Sequence, residues 1–166
     1  NNDTAADARW LDEVAAAFAR HPEAGLVASK MLLFDRRDTF HTAGDFVRID
    51  GTPGNRGVWQ ADVGQYDAEE PVFSANGGSA VYRRALLDAV GLLDEDFFYS
   101  CEDVDLAWRA QLAGWLSLKQ VATPRRAEHS SLTGSPHSDS FPPTFISVGN
   151  SGRAGRCMWW VVFSTT

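Results

Sequence analysis

One stretch limits the architecture more than any other: Phe73 to Gly114, F-S-A-N-G-G-S-A-V-Y-R-R-A-L-L-D-A-V-G-L-L-D-E-D-F-F-Y-S-C-E-D-V-D-L-A-W-R-A-Q-L-A-G. It reads as a glycine-bearing strand entry, a short helix, an acidic and aromatic loop, and a second helix that opens on carboxylates. In that second helix Val104, Trp108 and Leu112 recur every four residues with Ala107 beside them, which predicts one apolar face, and Gly114 predicts its end. Ser100 is the expected N-cap, with Asp103 three residues on in the manner of a capping box; Glu102, Asp103 and Asp105 fall in or near the first turn. First-turn acids suit the helix dipole, so capping alone is one reading. The approach supplies another. Leu93-Asp94-Glu95-Asp96-Phe97-Phe98-Tyr99 sets three acids and three aromatics directly before the helix, which a surface cap does not need and a sugar-binding wall can use. An acid at a helix N-terminus is favoured in its ionised form by the dipole and the backbone N–H groups, and so can accept a proton near neutral pH.

The flanking segments predict an α/β chain. From Ala5 to Arg20, Leu11, Val14, Ala15 and Phe18 follow helical spacing, Thr4 with Asp7 suggests a capping box, and Trp10 extends the packed stripe. His21-Pro22 and Gly25 stop this helix. Leu26 to Leu33 reads as a mostly buried strand interrupted by Lys30, which is expected near an end or an edge. Phe34 to Glu70 alternates weak strand signals over Thr39–Ile49 with turns at Asp50-Gly51, Pro53-Gly54-Asn55 and Arg56-Gly57, and a connection of that length is more often functional than idle. Within it His41 is read as a surface or packed histidine, and Trp59 and Tyr66 as loop anchors or sugar contacts.

Asn76-Gly77-Gly78 allows either a close approach of backbone to a ligand or a bulge or tight turn. Arg83 and Arg84 open the short helix that runs to Val90, as solvated helix-start residues or as phosphate contacts. Trp115 to Val121 alternates as a half-buried strand, and His129 follows in a loop where a neutral imidazole suits a divalent metal. Beyond Ser135 the chain turns polar and proline-rich. Residues 151–166 keep no period, and a short strand or an aromatic patch for a membrane surface or a partner are both open readings.

Composition narrows the function classes. The 166 residues suffice for one domain with a substantial core, at 44% hydrophobic and 22% charged content. A net charge of -7 argues against a nucleic-acid backbone as main partner. Cys101 and Cys157 stand far apart, which suggests neither a zinc site nor a disulfide framework and points to reduced, cytoplasmic thiols. No apolar run reaches membrane-spanning length, and the first residues carry no signal-peptide pattern.

Three motifs in order, Gly77-Gly78-Ser79-Ala80-Val81-Tyr82-Arg83-Arg84, Val90-Gly91-Leu92-Leu93-Asp94-Glu95-Asp96-Phe97-Phe98, and Glu102-Asp103-Val104-Asp105-Leu106 with Arg109, resemble family 2 glycosyltransferases of the GT-A fold, particularly the rhamnosyltransferase-like branch. The resemblance covers roughly residues 1–150. It implies an incomplete GT-A (Rossmann-like) mixed sheet flanked by helices, with residues 1–134 as the C-terminal part of the catalytic domain, 135–166 as an irregular tail, and the nucleotide-binding half missing. It implies metal-dependent inverting transfer of a sugar from a nucleotide-diphosphate donor to a hydroxyl of a saccharide or lipid-linked glycan, in the cytoplasm or at the inner face of a membrane to which the chain would bind peripherally. By the same resemblance Asp103 is the catalytic base, Asp3 and His129 are ligands of Mg²⁺ or Mn²⁺, Gly77 and Gly78 line the site, and Asp94 and Glu95 orient the acceptor, with Glu102 beside them as the less favoured base. The family's paired acids before the helical segment are here Asn1 and Asp3, and Ser131 and Thr133 are offset by one from the common spacing after the histidine. The resemblance also implies that this chain alone is inactive. A non-catalytic carbohydrate-binding or interaction remnant is the alternative, and a nucleotide-sugar hydrolase is a third.

Overall fold

Where the first helix starts is decided by packing rather than by its capping residues. In the computed structural model, which describes residues 4–119 and the backbone of Val162–Phe163, α1 spans Trp10–Arg20. Asp7 lies ahead of it in a turn: its carbonyl accepts from Trp10 N at 3.0 Å and its carboxylate from Arg9 N at 2.9 Å, in place of the expected capping box. Val14, Ala17 and Phe18 form the buried stripe, so Ala17 takes the place predicted for Ala15, and Leu11 stays largely exposed. Trp10 packs as expected, with its indole N–H donating to Ser29 Oγ at 2.8 Å.

The predicted strand 26–33 divides at Ser29 and Lys30 into β1 (Ala24–Ala28) and β2 (Met31–Leu32). Every residue of β1 is buried, as a central strand requires. It pairs antiparallel with β7 (Ala80–Arg83), Leu26 opposite Tyr82, and parallel with β8 (Leu116–Lys119), Val27 opposite Leu118. β6 (Glu70–Pro71) adds antiparallel to β8, giving a four-stranded mixed sheet ordered β6-β8-β1-β7, and the backbone of β9 (Val162–Phe163) runs parallel along β7. Two short antiparallel pairs lie outside it, β2 with β3 (Phe40–Thr42) and β4 (Asp45–Val47) with β5 (Pro53–Asn55). The expected mixed α/β architecture is therefore present.

Each face of the sheet carries its own core. Val27 and Val81 meet α1 through Val14, Ala17 and Phe18, while Leu26, Ala28 and Tyr82 meet α2 (Arg84–Val90) and α3 (Glu102–Leu112) through Leu86, Leu87, Leu106, Ala107 and Ala110. α3 thus inverts the expected orientation. The predicted stripe Val104, Trp108, Leu112 points away from the core, with Trp108 48% and Leu112 79% exposed. The small faces of Ala107 and Ala110 admit a close approach to the sheet and α2, which the larger Trp108 would prevent, and Trp108 packs instead edge-on to Phe73 with ring centroids 5.5 Å apart. Arg109 ties α3 to the end of α2, donating to Val90 O at 2.6 Å, Leu92 O at 2.9 Å and Asp105 Oδ2 at 2.9 Å. Among the described residues no helix is long and apolar enough to cross a membrane.

Candidate functional site

The start of α3 is strained. Ser100 (φ 70) and Cys101 (φ 72) are both left-handed, a conformation that costs a residue with a Cβ about 1–2 kcal/mol. Cys101, not Ser100, is the N-cap, and its own side chain makes no capping bond. Asp103 therefore does not form the capping box with Ser100 that its spacing suggested. Its Oδ2 accepts from Gly77 N at 2.8 Å and its Oδ1 from Val104 N at 2.8 Å, so the carboxylate reaches a turn that lies 26 residues earlier in the chain.

The turn at Gly77 lies against both carboxylates. A Cβ built there would lie in ordinary van der Waals contact, 3.5 Å from Asp103 Oδ2 and 3.7 Å from Glu102 Oε1. Gly78 is in the same turn and donates to Asn76 Oδ1 at 3.0 Å, while Ser79 N donates to Asn76 O at 2.9 Å. Glu102 Oε2 is buried without a hydrogen-bond partner. The structure thus brings together Gly77, Glu102 and Asp103, with Gly78 adjacent.

The other expected residues fall elsewhere. Asp94 uses its carboxylate on its own turn, accepting from Asp96 N at 2.9 Å, and Glu95 is exposed. Among the described residues no hydrogen bond or ion pair joins either of them to Glu102 or Asp103. Asp3 and His129 lie outside the described residues, as do Cys157 and most of the predicted tail. Among the described residues no group of three or more His, Cys, Asp or Glu side chains could hold a metal ion. His41 is exposed on β3. Arg83 is engaged structurally, donating to the carbonyls of Ala24 (2.9 Å) and Phe18 (3.1 Å) with its guanidinium over the Phe18 ring, and Arg84 pairs with Asp88 at 2.8 Å. Tyr66 is a loop anchor, edge-on to Phe40 at 5.3 Å. Trp59 is 66% exposed beneath Arg36.

Two features were missed by the sequence reading. One is Asp45 on β4, 5% exposed, whose Oδ1 accepts from Thr42 Oγ1 at 3.1 Å and from Asn55 Nδ2 at 2.9 Å. Burial pushes its carboxyl up to about 6, and the nearby Asp103 adds to the rise. Burial likewise pushes the Tyr82 phenol well above its ordinary value, reinforced by Asp103, Glu102 and Asp45. An aspartate set between Gly44 and Phe46 in a strand is the one signal that marked this position, because strands are depleted in aspartate.

The second is a shallow groove of about 190 Å³ on the outer face of α3, lined by Pro53, Phe97, Cys101, Val104, Asp105 and Trp108 among others. Val104 and Trp108, turned away from the core, form part of its lining; of the three consecutive aromatics Phe97 lines the groove, and Phe98 and Tyr99 are each 89% exposed. Two lysines fasten the 57–70 segment. Lys119, fully buried, donates to the carbonyls of Tyr66 and Ala68, and Lys30 pairs with Asp62 at 2.6 Å and Asp67 at 2.7 Å. Burial lowers the Lys119 ammonium's pKa.

No family model matches the chain, and comparison with curated proteins and with solved structures likewise gives no match.

Proposed function

We propose that this chain is the acceptor-side part of a nucleotide-sugar transferase of the GT-A kind, catalysing metal-dependent inverting transfer of a sugar from a nucleotide-diphosphate donor to a hydroxyl of a saccharide or lipid-linked glycan. The observation that supports it is the bond between the Asp103 carboxylate and the Gly77 amide, which ties the Glu102-Asp103 pair to the glycine turn in a contact that a helix cap does not require. In this reading Asp103 takes the proton from the acceptor hydroxyl as its oxygen bonds to the anomeric carbon and the bond to the departing diphosphate breaks. Each Asp103 oxygen accepts one backbone N–H, which fixes the carboxylate and leaves a lone pair on each for the substrate proton. Mg²⁺ or Mn²⁺, held by Asp3 and His129, would balance the diphosphate charge. The exposed Phe98 and Tyr99 offer apolar faces to a sugar ring, and a lipid-linked acceptor would bring the reaction to the cytoplasmic face of a membrane.

The same exposed aromatics favour a second reading, a carbohydrate-binding module without catalysis. The two separate in one experiment: transfer from UDP-, dTDP- and GDP-sugars, with either metal, by the polypeptide that carries this chain, with acceptor binding measured in parallel. Asp103→Asn is expected to lower kcat by about 10²–10⁴ while acceptor binding persists. Binding without turnover in the native protein would favour the module, and neither binding nor turnover would end both readings.

A further inference from the structure

A carboxyl group buried as deeply as Asp45 destabilises the folded chain when it ionises, unless something compensates its charge. Neutral groups alone hold its carboxyl: Thr42 and Asn55 converge on Oδ1, and the Ser74 hydroxyl also favours the ionised form, more weakly than burial opposes it. The titratable groups that face it add no positive charge: Asp103 from the first turn of α3, with Glu102 next to it, and Tyr82 from β7. The main chain of Asp45 is bonded to the segment that Asp103 grips. Asp45 N donates to Ser74 O at 3.0 Å, Phe73 N donates to Asp45 O at 3.0 Å, and three residues after Ser74 the Gly77 amide donates to Asp103. Gln111 Nε2 adds a bond from α3 to Phe73 O at 2.8 Å. Residues 73–77 are therefore clamped between two carboxyl-bearing residues whose negative charges repel.

We infer that Asp45 is a positioning residue for this site, acting through residues 73–77, so that its ionisation sets how the Gly77 amide holds the Asp103 carboxylate. An ionised Asp45 places a second negative charge behind residues 73–77 on the side opposite Asp103, and a protonated Asp45 removes it. Burial supplies the larger part of the upward displacement of Asp45, which brings its titration to about 6. The catalytic consequence rests on the transferase reading, whereas the proton linkage is a property of the chain itself and is read without any substrate.

The test is a carboxyl ¹³C NMR titration of the 166-residue chain between about pH 3.5 and 8, with the Gly77 amide resonance followed in the same samples. The expected result is an Asp45 midpoint near 6, well above the ordinary 3.8, with the same step visible at Gly77. Asp103→Asn should lower that midpoint by about 0.3 pH unit or more, a two-fold change in proton affinity, and Asp45→Asn should erase the step at Gly77. An Asp45 that titrates at its ordinary value, or a Gly77 resonance blind to its titration, overturns the inference on the native chain alone; a midpoint that Asp103→Asn leaves unmoved overturns the coupling. A chain that fails to transfer sugar changes none of these readouts, so the two failures are told apart.

Discussion

Replacing Asp45 by Asn is expected to stabilise the fold near neutral pH, with a pH dependence of defined sign. Asn keeps an acceptor oxygen for Thr42 and Asn55 and carries no charge. Burial raises the Asp45 carboxyl from 3.8 to about 6, and at 1.36 kcal/mol per pH unit the folded chain prefers the protonated form by about 3 kcal/mol. A group whose folded pKa lies above its unfolded value contributes stability that is complete below the unfolded value and is lost as pH rises through the folded one. For Asp45 that loss runs from about pH 4 to about pH 6 and is complete above it. Allowing about 1 kcal/mol for the amide protons that Asn must place, Asp45→Asn should be more stable than the native chain by about 2 kcal/mol at pH 7.5. By pH 4 the gain should vanish or reverse. Glu69, held low by the Arg20 guanidinium and His21, and Glu23 and Asp50, held low by backbone N–H groups, give the opposite slope in both proteins. Their effects cancel in the difference between variant and native. Urea unfolding followed by tryptophan fluorescence at several pH values measures that difference. A constant gap across pH, or a variant less stable throughout, would refute the electrostatic reasoning.

Leu106→Ala removes a fully buried side chain between α3, α2 and the sheet and should cost about 3 kcal/mol, seen as a lower urea midpoint with an unchanged slope. Gly25→Ala places a Cβ 2.2 Å from Leu86 Cδ1 and 2.9 Å from Trp115 Cβ, so overpacking of about 1–3 kcal/mol is expected from the same measurement, relieved in part by Leu86→Ala in the double variant. Cys101→Gly removes the left-handed strain before α3 and should add about 0.5–1 kcal/mol of stability, after allowing for the greater freedom of glycine in the unfolded chain. If this variant also loses the Gly77 to Asp103 bond, judged by the Gly77 amide shift, the strain serves to aim the first turn.

What the sequence made legible was local. Gly114 follows the end of α3 where expected, and it adopts the left-handed conformation that only glycine enters without strain. The burial of β1 was visible as an uninterrupted apolar run, and its break at Lys30 marked the place where the chain leaves the sheet for the Asp62 and Asp67 carboxylates. The orientation of α3 was not legible. Trp108 and Leu112 outweigh Ala107 and Ala110 on any hydrophobic scale, yet close packing selected the small residues for the core. The Gly77 and Asp103 pairing was expected only as a shared location, because the bond depends on a left-handed approach through Ser100 and Cys101 that neither residue type announces. Asp45 was hidden for a topological reason. Its burial arises from β4 meeting both β5 and the Phe73–Ser74 backbone, contacts that no periodicity encodes.

The order of the strands dictates when this molecule can be completed. β1 emerges early, but its parallel neighbour β8 lies about ninety residues later, so that contact carries a loop-closure penalty that the local helices escape. On the ribosome, the Ala24–Ala28 segment must wait with one side unzipped until Leu116–Lys119 leaves the exit tunnel. Premature release before that point would yield a chain with helices in place and its central strand open to any other extended polypeptide.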